Sequence, residues 1–181
     1  MIPPRILIAG IGNIFFGDDA FGTELARRLL ERPWPPGVHV VDFGIRGIDL
    51  TYALLDGCEV AILLDAVSRG GTPGTLYLIE PDLDESAPAE SPVATFDGHT
   101  LDPLRVLRLV REMGGRFERV LLVGCEPLRL AFGDEPGGDN PGRLGLSQPV
   151  AAALDEAERM ITDLVEEFGR TASGVGRHAH A

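Results

Sequence analysis

Short continuous apolar runs alternate along this chain with stretches whose apolar residues recur at helical spacing. Arg5 to Ala9 is β-branched and apolar and ends in glycine, which predicts a buried strand. Asp19 to Glu31 places Phe21, Leu25, Leu29 and Leu30 on one helical face, and Pro33 ends it. Val38 to Phe43 is a second strand, and Ile48 to Leu55 a helix closed by Asp56-Gly57. Glu59 to Asp65 and Thr75 to Glu80 are the third and fourth strands. Asp102 to Met113 is helical, with Pro103 suited to its first turn. Arg119 to Cys125 is the fifth strand. Ser147 can cap a last helix, with Pro149 near its start, running to about Phe168. The acidic, proline-containing segment 81–92 predicts a solvated loop, and 126–143 a Gly/Pro/Asp loop.

Strands that alternate with helices, three of them unbroken apolar runs, define an α/β fold. The expectation is a three-layer sandwich: a twisted, mostly parallel five-stranded sheet with helices on both faces. Residues 1–168 form one domain, and 169–181, which lose hydrophobic periodicity, are expected to be a disordered tail that includes His178 and His180. With 181 residues and 44% hydrophobic content, the chain can bury a core without staples.

Charge and cysteine content narrow the function. Lys and Arg total 16 against 28 Asp and Glu, a net charge of −12. That field repels nucleic acid and anionic membrane. Cys58 and Cys125 are the two cysteines, each inside an apolar run, where they read as small core residues. A disulfide framework is excluded, as in a reducing compartment. No apolar run approaches the ~18 residues of a membrane span. The N-terminal apolar stretch is interrupted by glycines and lacks a cleavage pattern, so a cytoplasmic location is expected.

In open α/β sheets ligands bind beyond the carboxyl ends of the strands. There the sequence gathers Gly10-Ile11-Gly12-Asn13 and Asp18-Asp19 after strand one, and Asp42-Phe43-Gly44-Ile45-Arg46-Gly47 after strand two. Strand three ends in Asp65-Ala66, and Asp97-Gly98-His99 precedes the helix at 102. Gly10 and Gly12 suggest a dinucleotide loop, but Phe15 stands where the third glycine is needed, and two carboxylates that would repel a pyrophosphate open the helix. The glycines fit a tight turn with close backbone approach. Asp18 reads as a helix-end carboxylate favoured by the macrodipole. A carboxylate ending a buried strand, as Asp65 does, is costly unless paired, hydrogen-bonded or metal-bound. Asp19, Asp65 and His99 together match a divalent-metal site, since imidazole suits zinc and nickel and carboxylate accepts many metals. Three protein ligands leave positions open for water or substrate. Asp42 either bonds the next loop or joins the site. Arg46 either holds a substrate carboxylate or carbonyl or forms a surface salt bridge. Trp34 reads as a loop staple and His39 as outward-facing. No Ser or Cys nucleophile with a histidine partner is apparent; Ser68 has no supporting motif.

The strings ILIAGIGNIFFGDDAFG, DFGIRGIDL, ILLDA, DGHTLDPLRVL and VLLVGCEP resemble the [NiFe]-hydrogenase maturation peptidases, over roughly residues 5 to 165. The resemblance implies an endopeptidase that trims the C-terminus of the nickel-loaded hydrogenase large-subunit precursor. It implies metal contacts from Asp19, where many relatives carry Glu, and from Asp65 and His99. Catalysis would rest on Asp19 and Asp65, and substrate contact on Asp42, Gly44 and Gly47. Nickel would be carried mainly by the substrate, so that cleavage checks that the metal has been inserted. Hydrolysis would be metal-assisted or of aspartic type. A monomer is expected. The alternative is a protein that recognises the nickel centre without cutting, a chaperone or checkpoint.

Overall fold

Period-two alternation in the first strand decides how the layers assemble. In the computed structural model, which describes residues 5–83, 102–128 and 145–175, β1 (Ile6–Ile11) is buried on both faces. Ile6 and Ile8 point to one side, Leu7, Ala9 and Ile11 to the other. A strand apolar on both faces must be covered on both. The helices α1 (Phe21–Leu30) and α4 (Gln148–Val175) cover the first side through Phe21, Leu25, Leu29, Val150, Leu154 and Ile161. The helices α2 (Gly47–Leu55) and α3 (Pro103–Glu112) cover the second through Leu50, Leu54, Leu107 and Val110.

The remaining strands are β2 (Val38–Gly44), β3 (Cys58–Ala66), β4 (Leu76–Ile79) and β5 (Phe117–Cys125). They order as β2-β1-β3-β5-β4. All pairings are parallel except β4 with β5, which is antiparallel. The expected mostly parallel, five-stranded three-layer sheet is therefore present. The chain leaves β1 toward β2 on one side and later returns to β3 on the other. β1 and β3 thus flank the topological switch point, where α/β sheets open a crevice.

Two glycines let α1 lie directly on the sheet. A Cβ at Gly22 would stand 2.0 Å from the Leu64 carbonyl oxygen and 2.3 Å from that of Ile11. One at Gly10 would stand 2.4 Å from the Ala26 Cβ. The close backbone approach expected of Gly10 is present, and Gly22 shares it without a mark in the sequence.

Several boundaries shift. The helix expected from Asp19 begins as a single 3-10 turn, Asp18–Ala20, before α1. Asp102 is the N-cap of α3, its Oδ1 accepting the Leu104 N–H at 2.9 Å. The last helix does not stop near Phe168 but continues to Val175, so the expected disordered tail is helical at least through 169–175. Propagating an existing helix adds one hydrogen bond per residue fixed and needs no buried face. His178, His180, most of the loops expected at 81–92 and 126–143, and the segment Asp97-Gly98-His99 lie outside the described residues.

Trp34 staples its loop as expected, donating from Nε1 to the Leu29 carbonyl at 2.8 Å, and His39 is exposed on β2. Cys58 and Cys125 are free and buried. Burial pushes the Cys58 thiol up to about 11 and, with the charges of Asp18 and Glu126, Cys125 up to about 12. Neither is a thiolate at neutral pH, so neither is a ready nucleophile.

Candidate functional site

The switch point brings together the loop that leaves β1 and the end of β3. Gly12 starts that loop with φ 133°, and a Cβ there would lie 1.8 Å from the Asp19 carbonyl oxygen. Only glycine lets the chain fold back this tightly. The turn delivers Asp19, whose Oδ2 accepts the Asn13 N–H at 2.6 Å. Asn13 is itself buried, and its Oδ1 accepts the Phe15 N–H at 3.0 Å, which closes an Asx turn.

Asp65 ends β3, its Oδ1 accepting the Ala66 N–H at 2.9 Å. Its carboxyl is held well above the ordinary carboxylate range. Burial is the main cause, followed by the charge of Asp19; the Ala66 N–H opposes them, and Asp102 adds to the rise. Asp19 is also raised, by burial, against the pull of the Asn13 N–H. Two carboxyl groups that share one field titrate as a pair: the first proton is retained where an isolated Asp would have lost it. A cation or a shared proton would relieve the same repulsion.

Asp19 and Asp65 are thus brought together, while His99 lies outside the described residues. Among the described residues, no group of three or more His, Cys, Asp or Glu is arranged to hold a metal ion. The start of α3, three residues beyond His99, lies at the same edge, because the Asp102 charge reaches Asp65.

Asp18 departs from the helix-end role expected of it. It is not a helix cap but a buried strut, 1% exposed. Its Oδ1 accepts the Ser147 N–H at 2.6 Å. Its Oδ2 accepts the Leu128 N–H at 2.8 Å and the Ser147 hydroxyl at 2.9 Å. The turn carrying Asp19 is thereby tied to the end of β5 and the start of α4. Ser147, expected to cap α4, gives its hydroxyl proton to Asp18 instead. Glu126, also buried, anchors the loop that leaves β3. It accepts the Arg69 N–H at 2.8 Å, the Gly70 N–H at 3.1 Å and the Tyr77 hydroxyl at 2.8 Å. Burial acts to raise its pKa, but these donors and the Gly71 N–H together lower it.

β2 contributes its loop through a bond from the Gly12 N–H to the Gly44 carbonyl, 3.1 Å, with Gly44 at φ 57°. Among the described residues, Asp42 does not bond this loop through its side chain. Its Oδ2 lies 3.3 Å from Arg27 Nε on α1, and its Oδ1 is buried without a hydrogen-bond partner among the described residues. Arg46 folds back on its own loop, donating to the Phe43 carbonyl at 3.1 Å and to that of Asp42, and pairs with Asp49 at 3.4 Å. Of the two readings open for Arg46, the structure carries the salt bridge. Gly47 is the first residue of α2, and its carbonyl accepts the Thr51 hydroxyl at 2.8 Å.

Comparison with known proteins adds an independent line. The HycI hydrogenase maturation protease family matches residues 22–164. The hydrogenase expression/formation protein HoxM of Azotobacter vinelandii is 32% identical over 174 residues, 96% of this chain and 78% of that protein. HupD of Rhodobacter capsulatus is 33% identical over 158 residues, 87% of this chain and 71% of that protein. Among solved structures, the hydrogenase maturating endopeptidase HybD from E. coli superposes with a TM-score of 0.71 at 25% identity, covering 91% of this chain and 94% of the other. The [NiFe] hydrogenase maturation protease HycI from Thermococcus kodakarensis gives 0.62 at 25% identity, covering 90% and 92%.

Proposed function

The chain belongs to the hydrogenase maturation protease family, and on that footing we propose that it is the endopeptidase that removes a C-terminal peptide from a nickel-loaded [NiFe]-hydrogenase large-subunit precursor. The observation that carries this reading is the pair of carboxyls at the switch point: Asp19 sits in the turn that follows β1, Asp65 at the end of β3, and the charge of Asp19 adds to the rise of the Asp65 carboxyl.

Peptide hydrolysis needs a group that takes a proton from water and returns one to the leaving amine. A carboxyl pair of which one member keeps its proton can do both. The raised Asp65 is suited to hold the proton, and Asp19 to accept one while the Asn13 N–H fixes its orientation. The precursor's nickel is substrate here, the mark by which a mature centre is recognised. Asp19, Asp65 and His99 are the residues that would reach it. The fit rests on the donor set: two carboxylates whose repulsion a cation relieves, near the helix that His99 precedes. Such a metal would polarise the scissile carbonyl or acidify a bound water. Asp42, Gly44 and Gly47 would line the approach of the substrate backbone. Reaction in the cytoplasm, by a monomer, completes the proposal. Among the described residues, no helix is long and apolar enough to cross a membrane.

Asp65→Asn and His99→Ala test the site. Each should slow processing of a nickel-loaded precursor by about 100-fold or more. Processing at near the parent rate by either variant would refute the assignment.

A further inference from the structure

The side of the site nearest β2 is apolar. Phe15, Ile45, Ile48 and Tyr52 are all exposed, Ile48 at 73% and Tyr52 at 63%. Single exposed hydrophobes are ordinary, but these four stand on two neighbouring segments around one site. Ile48 and Tyr52 are four residues apart on α2, so they share a face, opposite the Leu50 and Leu54 that enter the core. Ile45 precedes them in the loop that the Gly12–Gly44 bond joins to the β1 loop. Phe15 is set by the same Asn13 that holds Asp19: the Asn13 N–H goes to the Asp19 carboxylate, and its side chain takes the Phe15 N–H. The patch is thus built into the frame of the catalytic carboxylates. The charges within it, Arg46 and Asp49, pair with each other.

We propose that Phe15, Ile45, Ile48 and Tyr52 form the docking surface for an apolar segment of the precursor adjoining the scissile bond. This rests on the peptidase reading above. Two carboxyl groups cannot by themselves select one bond in a folded protein. A specific protein–protein contact covers about 800 Å² per partner, with an apolar, aromatic-rich core depleted in charge. Whatever places a peptide bond at Asp19 and Asp65 must lay its flanking residues over the loops around them: Phe15 sits on the loop that carries Asp19, and Ile45 on the β2 loop that the Gly12–Gly44 bond joins to it. With its charges internally paired, the patch binds by desolvation, so precursor affinity should depend weakly on salt despite the net charge of −12.

The test compares the intact enzyme with Phe15→Ser, Ile48→Glu and Tyr52→Ser, using the cognate precursor. Cleavage is followed against precursor concentration, and precursor binding is measured in parallel on the immobilised enzyme. The three variants should raise KM about tenfold or more while holding kcat within about twofold. Their melting temperatures should match the parent, because the side chains lie outside the core. Leu30→Ser, an exposed apolar residue at the far end of α1, should change nothing. An unchanged KM in all three variants, with the parent cleaving, would overturn the docking surface and leave the peptidase standing. Binding without cleavage by the parent, lost in the variants, would overturn the peptidase and uphold the surface. Neither binding nor cleavage by the parent would overturn both.

Discussion

Replacing Asp18 by Asn removes one charge and little else in volume, yet the geometry around it predicts a large loss of stability. The carboxylate is buried and, among the described residues, receives three donors: two backbone N–H groups, of Leu128 and Ser147, and the Ser147 hydroxyl. The hydroxyl can rotate and become an acceptor, but the two N–H groups cannot. They face opposite oxygens, so the amide nitrogen of Asn must meet one of them in either orientation. That leaves one buried donor unpaired, at about 1–3 kcal/mol. The bonds that survive lose their charge assistance, which is roughly half their strength. Together the cost is about 2–4 kcal/mol, out of a total stability of ~5–15 kcal/mol. At about 2–4 °C per kcal/mol for a domain of this size, the melting temperature should fall by roughly 4–16 °C. Thermal unfolding followed by circular dichroism reads this directly. A variant that melts within about 2 °C of the parent would refute the strut.

Gly22→Ala places a methyl 2.0 Å from the Leu64 carbonyl oxygen and should cost about 1–3 kcal/mol or more in urea unfolding; a neutral result would refute the direct packing of α1 on the sheet. Glu126 has a lowered pKa, so its stabilising contribution is fully present above the ordinary Glu value of 4.5 and is lost as pH falls through its folded value. Glu126→Gln should therefore melt below the parent at neutral pH and converge with it in acid, whereas parallel curves would contradict the anchor. Asp65→Asn replaces a carboxyl whose charged form burial and Asp19 both disfavour, so its melting temperature should equal or exceed the parent's even as processing is lost. A clear drop would show that Asp65 is structural.

The strands were legible because each is a short apolar run bounded by glycine or a charged residue, and burial on both faces suppresses any helical period. The topology explains why the candidate site was legible too: Asp65 ends β3 half-buried, Asp19 sits half-buried in the turn that follows β1, and a carboxylate in such a place needs a reason. What stayed hidden is tertiary. Asp18 and Asp19 are adjacent and chemically identical. The sequence cannot tell which turns inward, since Asp18's partners stand 110 and 129 residues away at Leu128 and Ser147. Glu126 reads as part of a Gly/Pro/Asp loop because most of its donors are backbone N–H groups, which leave no mark on residue type, and its Tyr77 partner is 49 residues away. Gly22 sits inside a helix, where glycine reads as a defect until the strand carbonyls beneath it are placed. The end of α4 was misjudged because loss of hydrophobic period ends packing, not the helix.

On the proposed reading, the carboxyl pair cuts a precursor only when nickel is present in it. The most direct test is the intact mass of a cognate large-subunit precursor, incubated with the protein, with and without nickel loaded. Loss of a short C-terminal peptide from the loaded precursor alone is the predicted result. An unchanged mass in the loaded precursor, or equal trimming of both, would contradict it.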